Sequence, residues 1–117
     1  MAVLGEFKPD NLIAGDFPTK AQGIVVTGPA DFRRGDVVGL AGDVPVLADS
    51  SLTNGGQNAV GIICDDVVVA NGETATTTMY IKGEFNRRAL RFGGTDTAEN
   101  HERRMTEIGL IIRGTGI

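Results

Sequence analysis

Short apolar runs separated by turn-forming residues dominate the chain, and this pattern predicts a β-rich fold. The run at residues 60–64 is continuous, as expected of a strand that is buried on both faces. Residues 73–82 instead alternate in character, which is the period of a strand with one buried face. The alternation places Ala75, Thr77, Met79 and Ile81 on one face and Thr74, Thr76, Thr78, Tyr80 and Lys82 on the other.

Further strands are predicted where apolar runs are bounded by Gly, Asp or Asn. They cover residues 23–27, 37–40, 44–48, 67–70 and 109–113, with a turn at 28–31 and a loop at 49–58. Asn71-Gly72 lies between two such runs and predicts a hairpin with a type I′ turn. Residues 83–86 are expected to break the return strand, and Asn86 to cap a short helical turn over residues 87–90.

One main helix is predicted near the C-terminal end, over residues 97–107. Asp96 precedes Glu99 by three residues, which is the spacing of a capping box with Asp in the cap role. Glu99 and Arg103 form an i,i+4 pair in the order that stabilises a helix. The apolar side of the helix is marked by Ala98, Met105 and Ile108. The expected fold class is therefore α+β and β-rich, a compact sheet or barrel-like domain with one main helix.

The first 20 residues follow no period, although they contain apolar side chains. Leu4, Phe7, Leu12, Ile13 and Phe17 are scattered between Pro9, Gly15 and Pro18. Such a segment either packs as a strap on its own domain or forms an arm that orders on a partner. We expect an extended N-terminal arm over residues 1–20 and a β-rich domain over residues 21–117.

Composition and charge narrow the class of partner. The 117 residues suit one domain with a modest core, for which self-association adds buried apolar area. A net charge of -4 argues against nucleic acid and against an anionic membrane surface. No apolar run approaches the length that spans a bilayer, and no secretory signal is expected. The single Cys64 excludes an intrachain disulfide and suits a reducing compartment.

Residue types that could act in catalysis or bind a metal are few. His101 is the only histidine and falls on the apolar side of the helix, so we expect a satisfied polar residue at a packing or subunit edge. Cys64 ends a buried run without a base beside it, which favours an inert core thiol. Asp65 and Asp66 are expected to form a strand-end turn. We therefore predict no catalytic residue, no metal site and no cofactor.

Arginines occur in pairs at residues 33–34, 87–88 and 103–104. In an acidic protein each pair is expected to be solvated or ion-paired, and a pair that faces a partner would set its orientation. One pair opens Arg34-Gly35-Asp36, a tripeptide that some cell-adhesion receptors recognise. A tight turn before a strand also explains Gly35 and Asp36.

Residues 59–117 resemble the lambda-type bacteriophage head decoration family, also called capsid-stabilising or cement proteins. The resemblance is carried in order by Ala59-Val60-Gly61-Ile62-Ile63, Tyr80-Ile81-Lys82-Gly83-Glu84-Phe85-Asn86, Ala89-Leu90, the helix, and Ile108-Gly109-Leu110-Ile111-Ile112. Upstream, Leu12-Ile13-Ala14-Gly15-Asp16-Phe17-Pro18 and Arg34-Gly35-Asp36-Val37-Val38-Gly39 fit the prophage-borne branch of the family.

The resemblance implies a homotrimer that is made in the host cytoplasm and sits on the outer surface of the expanded phage head. It would occupy three-fold and quasi-three-fold positions and stabilise the head against packaged DNA. Its partners would be the major capsid protein and copies of itself, with no nucleic acid and no membrane. The arm would order on the capsid and add a strand to the major capsid protein. The expected capsid-binding residues are Leu12, Ile13, Ala14, Gly15, Asp16, Phe17 and Pro18.

Two other functions are alternatives. A small trimeric β-barrel enzyme, such as a trimeric nucleotide hydrolase, would need an acidic, tyrosine-containing site at the subunit junction. The only tyrosine, Tyr80, lies in a threonine-rich strand and is not part of an acidic cluster in the sequence. An adhesion module would instead expose Arg34-Gly35-Asp36.

Overall fold

The computed structural model describes residues 12–14 and 18–114, and these residues form a β-rich α+β domain. The strands are β1 (Lys20–Thr27), β2 (Ala30–Phe32), β3 (Val37–Ala41), β4 (Val44–Leu47), β5 (Ala59–Ile63), β6 (Val67–Val69), β7 (Thr74–Asn86) and β8 (Leu110–Arg113). The helices are a 3-10 turn (Arg87–Ala89) and α1 (Ala98–Ile108). The predicted fold class is confirmed.

The main sheet has the strand order β1-β7-β5-β3-β4, with all of these neighbours antiparallel. Strand β8 pairs in parallel with the end of β7, and β2 and β6 form a separate two-stranded ribbon. The two ends of the strand order, β1 and β4, approach each other to Cα distances within 8 Å. The sheet therefore curls into the barrel-like shape that was expected.

Two apolar clusters lie on opposite faces of the curled sheet. Val38 and Ile63 contribute to the cluster inside the curl, whereas Val37 and Ile62 contribute to the cluster beneath α1. Neighbouring residues of a strand point to opposite faces, so β3 and β5 each supply both clusters. The prediction that residues 60–64 form a strand buried on both faces is confirmed in substance, with bounds shifted by one residue.

The alternation along β7 is also confirmed, because Thr77 and Met79 are buried whereas Thr76 and Thr78 are exposed. The expected break at residues 83–86 is wrong. The strand continues to Asn86 and changes partners at Gly83, where pairing with β8 begins. Gly83 has φ +144, a conformation that side chains rarely allow, so this glycine redirects the strand without ending it.

The predicted Asn71-Gly72 hairpin is half right. The turn is present, since Gly72 has φ +85 and the Glu73 N–H donates to the Ala70 carbonyl at 3.0 Å. However, the strand before it, β6, pairs with β2 and not with β7. A turn was expected at residues 28–31, but residues 30–32 form strand β2, which pairs with β6.

The predicted helix is confirmed within one residue at each end, but its N-terminus differs in detail. The N-cap is Thr97 and not Asp96, and the Thr97 N–H donates to the Asn100 side chain at 2.8 Å. The Asp96 side chain instead contacts Ser50 and His101. At the other end Gly109 adopts φ +97, the left-handed conformation that commonly ends a helix.

Two smaller expectations around the helical segments are corrected. Glu99 pairs with Arg87 at 3.3 Å, and Arg103 pairs with Glu107 at 3.6 Å, in place of the expected Glu99–Arg103 pair. Asn86 does precede the 3-10 turn, but its side chain makes no capping hydrogen bond. Within the described ranges, no helix is long and apolar enough to cross a bilayer.

Candidate functional site

Residues 12–14, here called the strap, lie against the far end of β7. The Asn86 N–H donates to the Leu12 carbonyl and the Ala14 N–H donates to the Glu84 carbonyl, both at 2.9 Å. Ile13 forms an antiparallel bridge with Phe85. Both β1 and the strap run antiparallel to β7, so the N-terminal part of the domain pairs with β7 at two places along its length.

The side chain of Leu12 anchors the strap. It is only 1% exposed and belongs to the apolar cluster beneath α1, together with Phe85. Gly35 lies next to Leu12, and an added Cβ there would come within 2.5 Å of the Ala89 carbonyl oxygen. Burying a leucine side chain contributes about 1.5–3 kcal/mol, which holds the strap on the domain.

The seven residues predicted to bind the capsid divide into three groups. Leu12, Ile13 and Ala14 form the strap, and Pro18 is exposed. Gly15, Asp16 and Phe17 lie outside the described residues, as do residues 1–11. The strap matches the alternative of a segment packed on its own domain, whereas a capsid-binding role for these residues and the division at residue 20 stay predictions.

The tripeptide Arg34-Gly35-Asp36 is part of the framework beside the strap. Asp36 is 1% exposed, and its carboxylate accepts two hydrogen bonds of 2.7 Å from the Arg91 guanidinium. It also accepts one from the Arg33 N–H at 2.8 Å. The hydrogen bond with Asp36 raises the pKa of Arg91. A receptor would need access to the Asp36 carboxylate, so the adhesion alternative is contradicted by its burial.

Arg34, in the same region, is half-buried. Its Nη1 donates to the Cys64 carbonyl and to the Tyr80 hydroxyl, each at 3.0 Å. The Tyr80 ring packs against Phe85 with 5.3 Å between ring centroids. These contacts make Tyr80 a packing residue tied to an arginine, which differs from the acidic tyrosine site that a nucleotide hydrolase would need.

The histidine on the helix is buried and satisfied, as expected. His101 Nε2 lies 2.7 Å from Asp96 Oδ2, and its ring stacks on Phe92 at 5.0 Å. Asp96 also accepts hydrogen bonds from the Ser50 N–H at 2.6 Å and from the Ser50 hydroxyl at 2.8 Å. Burial raises the pKa of Asp96, but the hydrogen bonds from Ser50 and His101 outweigh it and lower the pKa overall. The cluster fastens the start of α1 to the loop after β4.

Cys64 and the neighbouring acidic pair differ in exposure. Cys64 is buried, and desolvation raises the pKa of its thiol, which keeps it protonated and unreactive. Asp65 and Asp66 are exposed in a bend after β5, and Asp66 accepts a hydrogen bond from the Arg34 N–H at 2.9 Å. Among residues 12–14 and 18–114, no three His, Cys, Asp or Glu side chains are grouped to hold a metal ion.

A cleft of about 380 Å³ lies between the 3-10 turn and the start of α1. Arg87, which lines it, donates to Glu99 at 3.3 Å, to Glu102 at 2.9 and 3.0 Å, and to the Gly114 carbonyl at 2.9 Å. Phe92 lines the same cleft from the side of His101. Arg88 and Arg91 also line the cleft. The contacts of Arg87 hold the 3-10 turn against the helix.

Two features of this region were missed from the sequence. The ion pair between Asp36 and Arg91 joins residues 55 positions apart, and no local pattern connects them. The burial of Leu12 was hidden by the absence of a period in its segment. One usable signal was Gly35, since a glycine before a buried strand often marks a close approach of two backbones.

The fold and these contacts can be compared with known proteins. A family model described as bacteriophage lambda head decoration protein D matches residues 5–109. No curated protein matched the chain. The matched range includes the strap, strands β1 to β7 and all of α1, and the family is a structural capsid family and not an enzyme family. Because the match covers well over half of its length, the chain belongs to the family of bacteriophage lambda head decoration protein D.

Proposed function

We propose that this head decoration protein works as a homotrimer on the outside of the expanded phage head. It binds at three-fold and quasi-three-fold positions and stabilises the head against the pressure of packaged DNA. The observation that carries the proposal is the family match over residues 5–109. The proposed partners are the major capsid protein and two further copies of the chain, and the net charge of -4 supports a partner other than nucleic acid.

The proposed mechanism is mechanical. A three-fold trimer matches a three-fold site by symmetry, so one set of contacts is repeated at each capsomer. Each N-terminal arm loses conformational entropy when it orders, so a single arm binds weakly. Once one arm is bound, the other two bind at high effective concentration, and the three together resist separation of neighbouring capsomers.

The strap gives the arm a fixed origin in this mechanism. Leu12 is buried and residues 12 and 14 are hydrogen-bonded to β7, so force on the arm passes directly into the main sheet. β-augmentation of a capsid strand by the arm would use backbone groups, which tolerates the small differences between quasi-equivalent positions. We propose that the capsid contact lies mainly ahead of the strap, in residues 1–11.

A truncation that spares the strap tests this proposal. Deleting residues 1–10 should leave a folded trimer that no longer decorates expanded heads, whereas deleting residues 1–18 would also remove the buried Leu12. A second variant, with residues 1–10 replaced by a Gly-Ser segment of equal length, controls for chain length. Far-UV circular dichroism and sedimentation report fold and mass, and co-sedimentation with heads reports binding. Unchanged affinity of either variant would contradict the arm mechanism.

A further inference from the structure

The chain contains two Asn-Gly pairs, and the fold places them in different surroundings. Asn71-Gly72 forms the turn between β6 and β7, whereas Asn54-Gly55 lies in the loop between β4 and β5. In such a pair the glycine nitrogen can attack the asparagine carboxamide, because a glycine has no Cβ to obstruct the approach. Asparagine is one of the thermolabile residues of proteins. The two pairs are therefore candidate sites of spontaneous deamidation that can be compared within one molecule.

The turn at Asn71-Gly72 is open to solvent. Residues 70–74 are all exposed, and a Cβ added at Gly72 would meet no atom within 4 Å. The Glu73 N–H closes the turn by donating to the Ala70 carbonyl at 3.0 Å. Among the described residues, no hydrogen bond involves the Asn71 side chain or the Gly72 N–H. The carboxamide and the nitrogen that would attack it are thus both unrestrained.

The pair at Asn54-Gly55 is held at both reacting groups. The Gly55 N–H donates to Gln57 Oε1 at 2.8 Å, and Asn54 Oδ1 accepts a hydrogen bond from the Gly56 N–H at 3.1 Å. A Cβ added at Gly55 would fall on the Leu40 carbonyl oxygen, so the backbone here packs closely against β3. Attack on the Asn54 carboxamide requires both hydrogen bonds to break, and each changes an equilibrium by roughly two- to tenfold.

We propose that Asn71 is a site of spontaneous deamidation in the folded protein, whereas the fold protects Asn54. The Gly72 nitrogen gives up its proton and bonds to Asn71 Cγ. The bond from Cγ to Nδ2 breaks, and Nδ2 takes up a proton and leaves as ammonia, which closes a succinimide ring. One water molecule then opens the ring at either of its carbonyls and leaves aspartate or isoaspartate. Water is the only co-reactant, and nothing is oxidised or reduced.

The modification makes a neutral turn acidic without unfolding the domain. Each modified copy gains one carboxylate, which adds to the net charge of -4 and lies two positions from the exposed Glu73. Because β6 pairs with β2 and not with β7, this turn does not set the register of a hairpin. A change in the backbone at residue 71 is therefore compatible with the strand pairing on either side. This inference is independent of the proposed function.

Ageing of the folded protein in mildly alkaline buffer, followed by tryptic digestion and mass spectrometry, tests the proposal. Residues 35–81 contain no Lys or Arg, so one tryptic peptide carries both asparagines and provides an internal comparison. We expect Asn71 to deamidate at least about tenfold faster than Asn54 in the folded protein, and the two rates to be similar in urea. Equal rates in the folded protein would overturn the proposal. A tenfold difference that persists in urea would also overturn it, since the local sequence and not the fold would then be the cause.

Two variants separate the sites further. Gln57→Ala removes the acceptor of the Gly55 N–H, so it should speed deamidation at Asn54 by roughly two- to tenfold and leave the rate at Asn71 unchanged. An unchanged rate at Asn54 would contradict the protection, and if this variant does not fold, the wild-type rates decide. Asn71→Asp removes the proposed site, so isoelectric focusing should show a growing acidic band on ageing of the wild-type protein and none in the variant. An equal acidic band in both proteins would contradict the assignment to Asn71.

Discussion

Leu12 and Ile13 are neighbours with opposite surroundings. Leu12 is 1% exposed in the core, and Ile13 is 37% exposed on the strap. Sequence pattern does not separate them, because both lie in a segment without a period and both are large and apolar. Which of two such residues is buried depends on the backbone pairing with residues 84–86, which is a long-range contact.

This difference predicts unequal costs of truncation. Leu12→Ala should lower the free energy of unfolding by about 2–5 kcal/mol, since it removes a buried side chain and leaves a cavity. Ile13→Ala should cost less than about 1 kcal/mol. Urea denaturation of both variants measures the two values. Equal costs would mean that Leu12 does not anchor the strap in solution.

The Asp96 cluster predicts a dependence of stability on pH. The pKa of the Asp96 carboxyl group in the folded protein lies below its unfolded value of about 3.9. The cluster therefore stabilises the folded protein above a pH of about 3.9, and this stabilisation is lost as the pH falls through the folded pKa. The destabilisation caused by Asp96→Asn should therefore be larger at pH 7 than at pH 3. Urea titrations at both pH values measure it, and Asp43→Asn at an exposed turn controls for the change in net charge. If Asp96→Asn lowers the free energy of unfolding as much at pH 3 as at pH 7, the ionised Asp96 carboxylate does not stabilise the fold in this way.

Secondary structure was largely predictable for single elements, and strand pairing was not. The alternation of residues 73–82 and the apolar run at residues 60–64 reflect burial on one or two faces, which the sequence records directly. The choice of β2 over β7 as the partner of β6 depends on a contact between segments more than 30 positions apart. Local turn chemistry at Asn71-Gly72 is equally compatible with either partner, so it could not decide the pairing.

The bend in β7 predicts a position-dependent cost for alanine. Gly83→Ala would place a Cβ at φ +144, within 2.9 Å of the Thr19 Cγ2 atom and 3.0 Å of the Phe85 ring. Gly42→Ala carries the strain of φ +64 in open space. We expect a loss of about 1 kcal/mol at Gly42 and about 2–3 kcal/mol at Gly83. Thermal or urea unfolding compares them, and an equal or smaller loss at Gly83 would refute a strained bend.

At the scale of the whole molecule, the order and spacing of the sequence motifs predicted the family. The match over residues 5–109 confirms the family. The surfaces were harder to foresee, because they arise from folding. Strands β1 and β7, for example, lie about 50 positions apart in the chain, and the residues that share a face across them are known only from their register.

We propose that the protein recognises the expanded head as a trimer. Electron cryomicroscopy of purified protein mixed with expanded and with unexpanded heads tests it most directly. We expect trimer-shaped density at three-fold and quasi-three-fold positions on the outside of expanded heads only. Density at other positions, density inside the shell, or equal decoration of unexpanded heads would contradict it.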